Sequence, residues 1–152
     1  MAAADRSPVF LDTNVLVYAS LALSPFHAAA TERLTALEAD GVDFWVSRQV
    51  LREYLAAMTR PGTLTAPIPI ASLEQDVRSF AQRFKVAEDG PQVTDHLLRL
   101  LLTIPVGGAQ IHDANIVATM QVYGISRLLT HNTADFARFG GLITIAPLVS
   151  TT

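Results

Sequence analysis

Cysteine is absent from the 152 residues. That absence removes disulfides, thiolate metal ligands and a cysteine nucleophile from consideration. Lysine is nearly absent too: of eleven basic residues only Lys85 is a lysine, and fourteen acids bring the net charge to −3. Such a balance argues against the broad basic face of a non-specific nucleic-acid binder, but leaves open a nuclease whose acids gather in one pocket. No apolar run reaches the ~20 residues of a membrane span, and the richest, Leu97 to Ile104, is interrupted by Arg99. The opening MAAADRSPVFLD carries Asp5 and has no basic segment ahead of a long apolar run. No signal peptide or membrane segment is therefore expected, and the expected location is cytoplasmic.

Hydrophobic residues are abundant, at 50% with a mean hydropathy of +0.32. A chain this short has room for one core, so a single domain over 1–152 is expected, frayed at 1–7 and 147–152. The apolar excess implies that a partner or a second copy covers part of the surface.

Val9, Phe10 and Leu11 run without alternation, the pattern of a short strand buried on both faces of a parallel sheet. Asp12 follows at the strand's end, where ligands gather in open α/β sheets. Thr13 and Asn14 then offer capping side chains before Val15, Leu16 and Val17 resume an apolar pattern, so Asp12 reads equally as a helix cap. Further on, Phe26 to Asp40 predicts a helix stopped by Gly41, and Val42 to Val46 a strand. Ser47 caps a helix reaching about Thr59, with Val50, Leu51, Tyr54, Leu55 and Met58 as its apolar stripe. Glu53 falls off that stripe and faces a cleft or solvent.

Pro61 to Ile70 predicts an irregular segment, followed by a helix capped by Ser72 and carrying Val77, Phe80, Ala81 and Phe84. Gln92 to Ile104 predicts another, with Leu97, Leu98, Leu101 and Leu102 as its apolar face. A Pro/Gly turn leads into IHDANIVATMQVYG, a helix ended by Gly124, with Asp113 in its first turn on the side of Val117 and Met120. Arg127 to Thr130 predicts a buried strand running into His131, Asn132 and Asp135, and Leu142 to Ile145 an edge strand.

Asp12, Glu53, Asp113 and Asp135 are each explicable alone. Together they are compatible with one end of a parallel sheet. Clustered carboxylates raise one another's pKa, and a hard divalent cation with oxygen ligands would relieve that cost. His112 and His131 flank the same place without a zinc-ligand pattern.

The segments VFLDTNVLVY, SRQVLREYLAAMTRP, GGAQIHDANIVATM and RLLTHNTADF resemble, in order and spacing, the four signature segments of the PIN-domain nucleases, most nearly the VapC-like toxins of bacterial toxin–antitoxin pairs. The resemblance runs from about Val9 to Ile145. It implies a three-layer α/β/α sandwich with a central, mainly parallel sheet, and a ribonuclease dependent on Mg²⁺ or Mn²⁺. It also implies Asp12, Glu53 and Asp113 as acidic ligands and catalytic groups. Family members place a fourth acid where either Asn132 or Asp135 stands here, so Asp135 is the fourth acid or an outer group, with Thr13, Thr130 and Asn132 as polar supports. Asn14 and Asn115 are expected to make local hydrogen bonds. A VapB-like antitoxin, an RNA substrate and a homodimer are the implied partners.

Two rivals fail on residues. A phosphoryl-accepting regulator would need a lysine after a late strand, and Lys85 lies mid-chain. An Asp-x-Asp phosphatase would need an acid where Asn14 stands. A catalytically silent module that binds RNA or protein, and a nuclease of the same kind outside any toxin–antitoxin pair, stay open.

Overall fold

In the computed structural model, which describes residues 3–149, five strands form a sheet in the order β3-β2-β1-β4-β5, every neighbouring pair parallel. The strands are β1 (Val9–Leu11), β2 (Phe44–Ser47), β3 (Lys85–Ala87), β4 (Arg127–Thr130) and β5 (Thr144–Pro147). The helices are α1 (Thr13–Ser20), α2 (His27–Ala39), α3 (Arg48–Thr59), α4 (Ile70–Arg83), α5 (Pro91–Thr103), α6 (Gln110–Tyr123) and α7 (Thr133–Phe136). Parallel neighbours need crossovers, and right-handed crossovers place α1–α4 on one face and α5–α7 on the other. The α/β/α sandwich is thus observed, with a sheet that is wholly parallel.

All three residues of β1 are buried, as a strand covered on both faces requires. Its register sets Leu11 beside Leu129, and the Asp12 N–H donates to the Leu129 carbonyl at 3.0 Å. Asp12 therefore stands one residue beyond the strand, level with Thr130. The connections of β1 leave on one side toward β2 and those of β4 arrive on the other, so the carboxyl ends of β1 and β4 bound the crevice where strand order reverses.

Several expected elements shift. β3 was not expected: Lys85–Ala87 is a three-residue edge strand directly after the buried Phe84, too short to show alternation. The helix expected to be capped by Ser72 instead begins at Ile70 with Pro69 as its cap, the Ser72 N–H bonding the Pro69 carbonyl at 2.9 Å. Proline there carries no N–H and has φ preset. β5 starts at Thr144 because Leu142 and Ile143 turn back onto the Phe139 carbonyl. Pro147, expected in a frayed tail, closes β5, and Leu148 is buried with its N–H on the Thr130 carbonyl; a proline is tolerated on this edge strand. At the other end, Arg127 holds the carbonyls of Asp5 and Ser7, so this part of the expected fraying is absent too. Residues 1–2 and 150–152 of those tails lie outside the described residues.

The expected leucine face of α5 divides. Leu100 and Val93 are buried and Leu97 and Leu101 pack against the core, whereas Leu98 and Leu102 are 55% and 87% exposed. Among the described residues no helix is long and apolar enough to cross a membrane.

Helix α6 ends as expected at Gly124, in the left-handed conformation at φ 69°, its N–H meeting the Met120 and Gln121 carbonyls. A Cβ there would touch nothing within 4 Å, so the whole effect of Gly124→Ala comes from backbone conformation. That substitution should lower unfolding free energy by about 1 kcal/mol, measurable as a lower urea midpoint at unchanged m-value; no change would show that the helix ends without help from the glycine.

Candidate active site

Asp12, Thr13, Asn14, Glu53, Asp113, Asn132 and Asp135 line one open cleft of about 360 Å³. Thr130 lies beneath it, fully buried. Every residue singled out from the sequence as a site candidate is therefore brought to one place. The elements that carry them explain how: β1 delivers Asp12, α1 Thr13 and Asn14, α3 Glu53, the first turn of α6 Asp113, and the segment after β4 Asn132 and Asp135.

Asp12 is 7% exposed, and both its oxygens are occupied. Oδ1 accepts the Thr13 N–H at 2.8 Å, and Oδ2 accepts the Thr130 hydroxyl at 2.7 Å and the Asn14 amide at 3.2 Å. The capping role and the site role thus fall on the same carboxylate. Each hydrogen bond to a charged acceptor contributes about 1.5–3 kcal/mol, while an unrelieved buried charge costs several kcal/mol. Burial wins the contest: it pushes the Asp12 carboxyl above its ordinary range despite Thr130 and Thr13, with Glu53 and Asp135 pushing the same way.

Glu53 is half-buried and oriented from two sides, Oε2 by the Thr13 hydroxyl at 3.0 Å and Oε1 by the Gln49 amide at 2.6 Å. Gln49, buried at 5%, also donates to the His112 carbonyl at 2.8 Å and accepts the Asn115 amide at 2.8 Å. It was missed in the sequence. Its signal would have been a glutamine four residues before Glu53, adjoining the apolar stripe at Val50, where α3 should face the core. Asn14 makes the expected local bond, to Asp12, but also reaches across the fold to accept the His131 N–H at 3.1 Å, and Asn115 bonds not locally but to Gln49. The reason is that α1 starts beside β4 and α6 beside α3, which the sequence does not reveal. His131 packs against Phe26 with ring centroids 4.2 Å apart and planes tilted by 46°, and His112 is exposed, so neither histidine is built as a ligand.

Asp113 has no hydrogen-bond partner among the described residues and is half-buried. Burial first, then the charges of Asp12, Asp135 and Glu53, raise its pKa to about 6, His112 opposing. Asp135, on the short α7, is exposed at the mouth. No three acids or histidines among the described residues yet stand at the spacing of a bound cation. Glu53 is held in place by Thr13 and Gln49 rather than turned toward the other acids. The donor set itself, all oxygen and mostly carboxylate, suits a hard divalent ion and not a soft one.

The family model of the PIN domain matches residues 9–142. The chain belongs to the PIN-domain family. Ribonuclease VapC48 of Mycobacterium tuberculosis is 29% identical over 133 residues, covering 86% of this chain and 91% of that protein. Two solved structures share the PIN fold: M. tuberculosis VapC20, described as a sarcin–ricin loop cleaving toxin, with TM-score 0.68 at 18% identity over 91% of this chain and 99% of that one, and the DNA-bound VapBC complex of Salmonella typhimurium, with TM-score 0.68 at 20% identity over 94% and 99%. In this PIN domain the matched span runs from β1 to the turn before β5, so it contains every cleft acid.

Asp113 is the cleaner probe of the acid cluster, because replacing Asp12 also removes an acceptor from three donors. An acid whose folded pKa exceeds its unfolded value is unpenalised when protonated. Here the cost is absent below about pH 4, grows between 4 and 6, and is complete above about 6. Asp113→Asn should therefore raise the thermal midpoint of metal-free protein at pH 7.5, with the gain shrinking as pH falls toward 4. A gain equal at pH 7.5 and pH 4.5 would mean that Asp113 carries no such strain.

Proposed function

We propose that this chain is a metal-dependent endoribonuclease and the toxin of a VapB-like antitoxin. One observation carries the reading. Four carboxylates face one cleft at the carboxyl end of a parallel sheet, and two of them, Asp12 and Asp113, are held above their ordinary pKa. Such a site is electrostatically incomplete without a cation. Membership of the PIN family and the likeness to a protein named as a ribonuclease support the RNA substrate.

Asp12, Glu53, Asp113 and Asp135 would hold Mg²⁺ or Mn²⁺, with Asp135 as the acid that completes the set where Asn132 is an amide. When bound, the ion supplies Lewis-acid activation of the attacking water and neutralises charge gathering on the phosphodiester. The residues do the rest. Thr13 and Gln49 fix the direction of the Glu53 carboxylate; Thr130 and Asn14 fix Asp12; Asn132, exposed at the mouth, offers an amide donor to a phosphate oxygen. Substrate is thereby oriented for in-line displacement, the positioning on which phosphoryl chemistry depends.

The antitoxin reading rests on family membership and on an apolar hollow of about 510 Å³ beside the cleft, with Val17, Tyr18, Leu21, Leu23, Pro25 and Leu64 among its walls. Val17 and Tyr18 belong to both hollows, so a segment laid along the apolar one would also obstruct the acids. A homodimer would cover Leu98 and Leu102, exposed at i, i+4 on α5.

Purified, antitoxin-free protein should cut single-stranded regions of tRNA or rRNA fragments with Mg²⁺ or Mn²⁺, and a chelator should abolish the cleavage. Added metal should raise the wild-type thermal midpoint by mass action and that of Asp12→Asn or Asp113→Asn much less. Uncut RNA under both metals, or equal metal shifts in all three proteins, would hand the fold to a silent binding module. For the dimer, light scattering should report two copies for wild type and one for the double variant Leu98→Glu, Leu102→Glu; a wild-type monomer at high micromolar concentration would end that part of the proposal.

A further inference from the structure

We infer that Arg60 is the phosphate clamp of the cleft, gripping an RNA phosphate that flanks the one being cut. This rests on the nuclease reading above. A cleft lined by four carboxylates repels a polyanion, so substrate must be drawn in by fixed positive charge as well as by any cation bound there. Among the described residues, Arg60 is the only basic one lining the cleft.

Most other cations of the chain are committed. Arg48, Arg52, Arg78, Arg83, Lys85 and Arg127 each pair with an acid within 4.0 Å, and Arg138 holds the Pro105 carbonyl and Gln110. Arg60 has no carboxylate within 4.0 Å among the described residues and is exposed. A guanidinium in a cleft of four acids that pairs with none of them remains available to a ligand.

Arg60 is the residue that caps the carboxyl end of α3, and the helix sets its position. Glu53, Ala57 and Arg60 all line the cleft, and offsets of four and seven residues put them on one face of a helix. Ala57, small, leaves the space between them open. Seven residues at 1.5 Å each set the two Cα atoms about 10 Å apart, room for the phosphate gripped by Arg60 to be the neighbour of the scissile one. The segment after Arg60 turns away at once, with the Thr63 N–H on the Arg60 carbonyl at 3.2 Å, and Arg60 is exposed. A planar guanidinium grips phosphate with two parallel hydrogen bonds, which an ammonium cannot reproduce.

The alternative is that Arg60 only complements the carboxyl-terminal dipole of α3. Steady-state cleavage of a 12-nucleotide single-stranded RNA by wild type, Arg60→Gln, Arg60→Lys and the control Arg99→Gln separates the two. Arg60→Gln should raise KM about tenfold or more at low salt, with kcat changing much less. The slope of log KM against log salt should also fall by about 0.7. Arg60→Lys should keep the wild-type slope with intermediate KM, and Arg99→Gln, whose side chain lies away from the cleft, should match wild type. Anisotropy with labelled RNA, comparing Asp12→Asn with Asp12→Asn, Arg60→Gln, should repeat the loss as weaker binding. An unchanged KM and slope in Arg60→Gln, or an equal loss in Arg99→Gln, overturns the clamp while leaving the nuclease standing. RNA left uncut by wild type under both metals overturns both.

Discussion

A carboxylate buried at the end of the central strand governs the rest of this structure. Asp12 cannot be hidden from water unless donors meet it, and they arrive from three places: its own helix start at Thr13, the side chain of Asn14, and Thr130 on the neighbouring strand. That requirement ties the first turn of α1 to the end of β4, and the Asn14 contact with the His131 N–H fastens the segment that carries Asn132 and Asp135. The donors lessen the penalty of burial without cancelling it, which is why the carboxyl group stays above its ordinary range. The fold thus stores an electrostatic deficit at one spot and holds it there with neutral hydrogen bonds, the arrangement expected where a charged ligand is to be received.

Helix α3 carries the second half of the design. Its buried face, with Gln49, Val50, Tyr54 and Met58, anchors it to the core, while Glu53 and, just past its end, Arg60 line the cleft. Gln49 couples this helix to α6 through Asn115 and the His112 carbonyl. The separation between Glu53 and Asp113 is therefore set by an amide network and not by their mutual charge, which would drive them apart. Such a network is worth having only when every member is satisfied, and each polar atom of Gln49 has a partner.

The apolar composition divides between two uses. A continuous core runs through the sheet and the inner faces of the helices, with β1 and Leu128, Leu129 and Thr130 of β4 at or near zero exposure. Leu23, Leu98 and Leu102 remain outside it. Two of these sit on one side of α5 and the third beside the cleft, while Ile70, Leu142 and Val149 are exposed elsewhere.

The sequence by itself determined the type of most elements, because burial on both faces, helical periodicity and capping are local patterns: VFL had to be a buried strand, Ser47 a cap, Gly124 a stop. It also marked Asp12, Asp113 and Asp135, which lie beside element ends that a parallel sheet turns toward one rim, whereas Glu53, in the middle of α3, was left between cleft and solvent. Whether they meet closely enough to bind, and what holds them, was decided only by tertiary structure. The bond of Thr130 to Asp12 spans 118 residues and that of Asn115 to Gln49 spans 66; no local pattern encodes such pairs. The same holds for β3, which exists because β2 offers it an edge, and for the split of the α5 leucines, where periodicity gives a stripe but only packing against α6 chooses its centre. Short-range preferences fix the parts, whereas the positions of polar groups across the core depend on which parts become neighbours.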